Sequence, residues 1–307
     1  MYILVFMIYN KLPLTIDKQI DRLIERGLII KNREFAEKWL MNVSYYRLAG
    51  YWWSMQSDKT NHIFKDNSNF EDVVSLYNFD KELRSILFDV IEKIEISIRT
   101  KLIYHLSLEH SPWWFTNADL FDDTMAYVKT LSKLQEECER SKDVFITEHK
   151  KMYKEDKRFP PSWKTLELTS LGGLSKLYGN LKSSVKSKDI IAKELGAVNH
   201  IYLPSWLQSI TIVRNYCAHH SRLWNKNIPS RPKLLSNPPD KWVNHTFKEH
   251  ELQNIYVQIC IMKYLLNRIE TENNFSILLK NLFEKYPSVD LKALGFTENW
   301  IEEPIWK

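Results

Sequence analysis

The chain has little glycine, proline or cysteine. Its 307 residues include 7 Gly and 11 Pro, well below the average usage of roughly 7% and 5%, which argues against a β-sandwich or a glycine-rich phosphate-binding fold. The three cysteines, Cys138, Cys217 and Cys260, are odd in number and form no CxxC pair, so neither a disulfide framework nor a cysteine-rich zinc site is expected. The composition indicates a reduced, cytoplasmic protein.

The histidines and the first residues exclude further classes. The nine histidines include no HExxH motif and no Cys/His quartet, so we expect no metal and no cofactor. The apolar run at residues 1–9 has no basic n-region and no small-residue cleavage site, and it is too short to cross roughly 30 Å of hydrocarbon. We interpret it as a buried first segment or a displaced start codon, with secretion as a less favoured alternative, and we expect no membrane contact.

Apolar residues recur at a spacing of three or four through most of the chain, which predicts an all-α fold. Hydrophobic residues make up 44% of the sequence and aromatic residues 13%, with 11 Trp, so a sizeable core can form. The length suits one large domain or two intimate ones. The clearest stripe predicts a long central helix over 80–104 and consists of Leu83, Leu87, Val90, Ile94, Ile98 and Leu102.

Shorter helices are expected on either side of this central helix. Asn32 is placed to start one of them. Residues 162–181 predict a helix pair with a break at Gly172-Gly173, and Pro204 suits the first turn of another helix. Two more amphipathic helices are predicted over 252–269 and 275–286.

The positive charge is regional. The chain has a net charge of +5, yet residues 151–233 hold 15 Lys and Arg against 5 Asp and Glu, a local excess of +10. Such an excess is expected of a surface that binds a polyanion, although a solvated lysine-rich surface has the same count.

Residues 213–225 concentrate groups that transfer protons and bind phosphate. The segment holds two Arg, two adjacent His and two Asn at the end of a predicted helix whose other face is apolar. Within it, Arg214-Asn-Tyr-Cys-Ala-His219 resembles the Arg-polar-x3-His signature of HEPN ribonucleases. The alternative is a polar helix C-terminus, where Arg and His interact favourably with the macrodipole.

Four further segments resemble, in chain order, the Abi-like (AbiD/AbiF) abortive-infection proteins of the HEPN superfamily. They are residues 42–51 with Tyr-Tyr-Arg-Leu, residues 92–99, residues 161–178 and residues 294–300. The resemblance implies a HEPN-like helical bundle with an N-terminal helical extension. We therefore divide the chain into an N-terminal segment, 1–75, and a HEPN-like domain, 76–307, that carries the Arg-x4-His motif.

The resemblance also implies metal-independent cleavage of RNA in phage defence, at a composite site formed by two copies. His219 is suited to proton transfer, because imidazole changes charge near neutral pH. Arg214 keeps its charge and offers a fork of donors for phosphate. Asn215 is expected to orient the histidine or the phosphate, and His220 and Arg222 to contact substrate.

The spacing of Arg214 and His219 raises a geometric question. Five residues correspond to about 140° around an ideal helix, so the two side chains do not share a face. Either the helix loosens near Ala218 or a second copy supplies the missing proximity.

The weaker candidates lie elsewhere in the chain. Glu95 and Arg99 are spaced for an ion pair on the central helix, which is either a surface pair or a support for Arg214 at the site. Tyr46 and Arg47, with their aromatic neighbours Tyr45, Tyr51, Trp52 and Trp53, are candidates for stacking on unpaired bases or for packing. Cys217 is expected to be a buried, inert thiol because it lies on the apolar face of its helix.

Three functions remain to be distinguished. The favoured one is an endoribonuclease that acts on RNA as a homodimer and is restrained by a structured regulatory RNA, an antitoxin or a conformational lock. The alternative is a non-catalytic module, or a partner-regulated toxin component, in which the same Arg and His bind phosphate. A purely structural helical protein is the third.

Overall fold

The computed structural model describes residues 12–307, so the apolar run at residues 1–9 lies outside the described residues. This part of the chain forms twelve α-helices, several short 3₁₀ turns and one two-stranded antiparallel hairpin. The predicted all-α fold is confirmed. The chain consists of two compact units, one ending at Asp80 and the other beginning at Lys81.

The first unit contains three short helices and the hairpin. Side-chain caps explain where two of the helices begin, since Thr15 accepts a hydrogen bond from the Lys18 N–H and Asn32 from the Phe35 N–H. Tyr51 donates a hydrogen bond of 2.7 Å to the buried Asp80 carboxylate. The elements are α1 (Ile16–Glu25), α2 (Arg33–Val43), α3 (Tyr45–Trp52), β1 (Gln56–Asp58) and β2 (Ile63–Phe64).

The long helix α4 (Phe70–Glu109) contributes residues to both units. Its 40 residues correspond to about 60 Å. The predicted central helix is confirmed, and all six residues of its apolar stripe are buried. It extends beyond the predicted 80–104 at both ends because Asn69 caps the Asp72 N–H and no proline occurs before Pro112.

The second unit contains the C-terminal part of α4 and eight more helices. Helix α10 packs against α8 and α11. The helix predicted over 252–269 is present as α11, but the expectation of a solvent-facing polar side is wrong, because twelve consecutive residues, 255–266, are buried and these include Gln258 and Lys263. The helices are α5 (Thr124–Arg140), α6 (Val144–Met152), α7 (Ser162–Thr165), α8 (Leu171–Asn180), α9 (Lys186–Glu194), α10 (Leu203–Ala218), α11 (Ile255–Ile269) and α12 (Phe275–Lys285).

The break in the predicted helix pair lies at a different place. Gly172 and Gly173 fall inside the first turn of α8, and the chain bends before them, at Thr169 and Ser170. A Cβ atom on Gly172 would lie 3.3 Å from the Cγ2 atom of Thr211 on α10. The glycine therefore permits close packing of α8 on α10, which is a different use of glycine from the break that the sequence predicted.

Candidate active site

One face of α4 organises the candidate site. Arg84, Phe88, Glu92, Glu95 and Arg99 follow one another at intervals of three or four residues, so they lie on one side of the helix. At one end of this row the Arg84 guanidinium donates a hydrogen bond of 3.3 Å to the Ser221 carbonyl, just after α10. At the other end Arg99 contacts the 3₁₀ segment Leu166–Leu168.

A cleft of about 400 Å³ lies along this face. Its size is within the range of roughly 300–1,000 Å³ that is typical of small-molecule sites. It combines an apolar wall with five charged side chains, and it is lined by Phe88, Ile91, Glu92, Glu95, Ile96, Arg99, Glu167 and Arg214. The structure thus brings three of the predicted site residues, Glu95, Arg99 and Arg214, into one cleft.

Arg214 enters the cleft from α10. The helix is positioned by its apolar face, on which Trp206, Ile210 and Val213 are buried, so the adjacent Arg214 lies at the edge of the core. Its guanidinium carbon is 5.9 Å from the centre of the Phe88 ring. Its Nε atom is buried and has no hydrogen-bond partner among the described residues. A buried donor of this kind is rare in a folded protein and calls for an acceptor.

Arg99 has a different environment from Arg214. Its side chain is 12% exposed. Its Nε donates to the Leu166 carbonyl, and its Nη2 donates to the Thr169 carbonyl and to Glu95 Oε1, each at 3.0 Å. Three of its five donors are therefore engaged within the protein, and Arg99 fixes both the Glu95 carboxylate and the 3₁₀ segment that carries Glu167.

The C-terminal end of α10 presents the histidines. The His220 N–H donates to the Cys217 carbonyl at 3.1 Å and the Ser221 N–H to the Tyr216 carbonyl at 2.8 Å, which is the hydrogen-bond pattern of a Schellman turn. His220 occupies its left-handed position with φ of 53°, where glycine is usual. Helix α10 ends at Ala218, and His219 is its C-cap residue. The helix therefore ends at the place where the first of the two sequence alternatives expected it to loosen.

The structure does not bring His219 into the cleft of the same copy. Asn215, His219 and His220 are exposed and Arg222 is half-buried, and none of the four lines the cleft. Arg214 and His219 thus lie five residues apart at the end of α10. Of the two, only Arg214 lines the cleft together with Glu92 and Glu95.

The aromatic candidates of the first unit divide by exposure. Tyr46 is 91% exposed and Trp53 is 44% exposed, whereas Tyr51 and Trp52 are buried. The Tyr45 hydroxyl accepts a hydrogen bond of 3.0 Å from Arg26. The neighbouring Arg47 is exposed. In this group, Tyr46 and Trp53 are the aromatic side chains with enough free surface to stack on a ligand.

Sequence reasoning missed Arg84, Phe88, Glu92 and Glu167 as components of the site. The first three could have been found from the sequence, since they continue the three- and four-residue spacing of Glu95 and Arg99 along α4. Glu167 had none, because its place beside Arg99 depends on contacts between segments distant in sequence. Its Oε2 atom lies 3.9 Å from Arg99 Nη1.

The basic segment 151–233 presents fewer free charges than its count suggests. Lys188 is buried and donates to the Gly179 and Leu181 carbonyls, and burial lowers the pKa of its ammonium group. Arg158 stacks on the Trp113 ring at 3.8 Å and pairs with Asp156, where the hydrogen bonds from Arg158 lower the pKa of the carboxyl group to about 2. The burial of Lys188 therefore removes one charge from the surface, whereas the Arg158–Asp156 pair is already cancelled in the local excess of +10.

Two chemical properties follow from this geometry. Arg214 can bind an anionic or carbonyl oxygen, and the carboxylates of Glu92 and Glu95 can accept hydrogen bonds or a proton.

The described residues contain no group of three His, Cys, Asp or Glu side chains arranged to hold a metal ion. No described helix has both the length and the apolar character of a membrane span. Cys217 is buried, as predicted.

Comparison with known proteins identifies the family. No curated protein and no solved structure matched the chain. A family model described as Abi-like protein matches residues 38–225, a stretch that begins within α2, includes every residue that lines the cleft and ends just beyond the C-terminal turn of α10. Because this match covers more than half of the 307 residues, the chain belongs to the Abi-like protein family, a name that associates it with abortive infection.

Proposed function

We propose that this protein is a metal-independent HEPN-type endoribonuclease that cleaves RNA during abortive infection. The observation that carries the proposal is the state of Arg214: its guanidinium faces an open cleft, and its buried Nε has no acceptor among the described residues. In the proposed complex a phosphoryl oxygen of the bound RNA accepts hydrogen bonds from the part of this guanidinium that faces the cleft, since arginine pairs with phosphate through parallel hydrogen bonds.

The chemistry requires no group beyond the side chains and the RNA itself. The ribose 2′-oxygen attacks the adjacent phosphorus while its proton passes to a base, and the bond to the 5′-oxygen breaks as that oxygen takes a proton from an acid. The products are a 2′,3′-cyclic phosphate and a 5′-hydroxyl. Arg214 stabilises the charge on the phosphorane oxygens, and His219 carries one of the two proton transfers.

The separation of Arg214 from His219 favours a homodimer. The cleft of one copy contains the arginine but not the histidine, whereas His219 lies exposed on the terminal turn and is accessible to a second molecule. In the proposed dimer, the histidine of one copy completes the cleft of the other.

Affinity for RNA must come largely from outside the cleft. Within it, Arg99 is engaged by Glu95 and by two carbonyls, which leaves the carboxylates of Glu92 and Glu167 beside Arg214. The exposed Lys151, Lys154 and Lys157 are suited to attract the backbone of a substrate or of a structured regulatory RNA. Because such attraction releases counterions, binding must weaken as the salt concentration rises.

The decisive experiment uses a defined single-stranded RNA and the purified protein in the presence of EDTA. We expect new ends bearing a 2′,3′-cyclic phosphate, and no cleavage where the nucleotide before the scissile bond is 2′-deoxy. Arg214→Ala and His219→Ala should each abolish cleavage. Arg231→Ala and His250→Ala, which remove an exposed arginine and an exposed histidine elsewhere, should retain it.

Mixing the two inactive variants tests the composite site. If Arg214 of one copy and His219 of the other act together, a heterodimer of Arg214→Ala and His219→Ala retains one complete site, and activity returns on mixing. If the wild type cleaves RNA but mixing restores nothing, the homodimer part of the proposal is wrong. Salt-dependent RNA binding without any cleavage by the wild type would instead establish the non-catalytic alternative.

A further inference from the structure

Arg84 is a buried cation on α4 that the proposed reaction does not use. Only 5% of its surface is exposed, and its Nη1 donates a hydrogen bond of 3.3 Å to the Ser221 carbonyl. The two residues are 137 positions apart in the sequence. A buried guanidinium needs hydrogen-bond partners because the loss of its hydration is costly, and the Ser221 carbonyl is one such partner, which links α4 to the segment after α10.

Ser221 is part of the turn that presents the histidines. Its N–H closes the turn on the Tyr216 carbonyl at 2.8 Å, while its own carbonyl accepts the hydrogen bond from Arg84. His219 and His220 lie within this turn, between Tyr216 and Ser221, and His220 is held in the left-handed conformation that non-glycine residues rarely adopt. Because glycine would adopt this conformation at a lower cost, a contact from outside the turn helps to hold it.

The position of Arg84 also suits the charge of the helix end. The C-terminal carbonyls of a helix carry a partial negative charge, and a cation near them is favourable. Arg84 belongs to the same face of α4 as Phe88, which contacts Arg214. One face of α4 thus contacts both the cleft arginine and the turn that follows it.

We infer that Arg84 is a positioning residue that fixes the C-terminal turn of α10 and thereby the orientation of His219 and His220. The inference rests on the proposed function for its catalytic consequence, but the structural effect on the two histidines is independent of any activity. Arg84 itself contacts no substrate. Its removal should change where the histidines point without changing Arg214 or the cleft.

The test compares Arg84→Met with Lys81→Met, which removes an exposed cation from the same helix. The imidazole resonances of His219 and His220 are recorded by two-dimensional NMR of histidine-labelled protein and assigned among the nine histidines with His219→Gln and His220→Gln variants. We expect both resonances to shift in Arg84→Met and to stay in place in Lys81→Met. Arg84→Lys, which keeps a buried cation, should shift them less and serves as the measured variant if Arg84→Met does not fold.

Kinetics provide the second measurement. We expect kcat of Arg84→Met to fall by about a hundredfold, the scale of a displacement of roughly 1 Å, with KM changed less than about twofold because Arg214 still binds phosphate. Lys81→Met should retain kcat. If the wild type cleaves RNA while Arg84→Met keeps both its kcat and its histidine resonances, the inference about Arg84 is wrong and the nuclease proposal stands. If the wild type does not cleave but the resonances shift as expected, the nuclease proposal fails and the role of Arg84 in the turn is supported.

Discussion

Replacing Arg99 by methionine should destabilise the protein by about 3 kcal/mol. The substitution preserves much of the side-chain volume but removes three hydrogen bonds of 3.0 Å, each worth about 1.5–3 kcal/mol when one partner is charged and together less than their sum. It also leaves the Glu95 carboxylate, 16% exposed, without its cation. Breaking a buried pair from one side costs about 3–5 kcal/mol, and the partial exposure of this pair places the cost near the lower limit.

The measurement is the free energy of unfolding in urea, followed by tryptophan fluorescence and circular dichroism. Lys101→Met is the matched control, because Lys101 lies on the same helix and pairs with Glu194 in a more exposed setting, where an ion pair contributes about 1 kcal/mol or less. The double variant Glu95→Leu/Arg99→Met should regain at least about 1 kcal/mol, since it no longer strands a carboxylate. If Arg99→Met loses no more stability than Lys101→Met, Arg99 does not hold the cleft wall as we describe.

Three further substitutions test the structure. His220→Gly should raise the stability by about 0.5–1 kcal/mol, seen as a higher melting temperature, because glycine adopts the left-handed conformation without strain. Gly172→Ala should lower the free energy of unfolding by about 1 kcal/mol, because the new Cβ atom would lie 3.3 Å from Thr211 Cγ2. The Thr211 side chain cannot easily move away, since its hydroxyl donates a hydrogen bond within its own helix. Adding Thr211→Ser, which removes the Cγ2 atom, should recover the loss. Burial works to raise the pKa of Glu194, but hydrogen bonds from Lys101 and a histidine outweigh it and lower that pKa. The resulting stabilisation is present above the ordinary glutamate pKa of about 4.3 and is lost as the pH falls further, so the unfolding free energies of wild type and Glu194→Gln should converge in acid.

Local signals were sufficient to predict most of the helices, although α3, α6 and α9 were not predicted. The apolar stripe of α4 and the caps at Thr15 and Asn32 involve residues within one or two helical turns of one another, so the sequence contains the whole interaction. The same holds for α10, whose buried face was predicted from spacing alone and is confirmed by the burial of Trp206 and Cys217. The Arg-x4-His motif could therefore be placed on a helix and at its C-terminal end.

The features that could not be predicted depend on contacts between residues that are distant in the sequence. The partners of Arg99 lie 67 and 70 residues away, and the pattern of α4 does not reveal that a 3₁₀ segment covers that face. The role of Gly172 likewise depends on how closely α10 approaches. The character of α11 was missed because its few polar residues suggested a solvent-facing side, whereas Gln258 and Lys263 are buried along with the rest. Lys263 instead donates to Asn273 at 2.8 Å.

The hydrogen bonding of Arg214 differs from that of Arg99, the other cation that lines the cleft. Arg99 uses three of its five donors within the protein, which explains it as a structural residue. The buried Nε of Arg214 has no partner in the described chain, and six residues later His220 occupies a position that glycine would fill with less strain. Each kind of departure also occurs elsewhere in the described residues, for example at Trp114 Nε1 and at Ser44, but at Arg214 the unpaired atom belongs to a charged side chain that lines the cleft. Arg214 therefore keeps hydrogen-bonding capacity that the protein does not use, which is why we assign the substrate phosphate to Arg214 and not to Arg99.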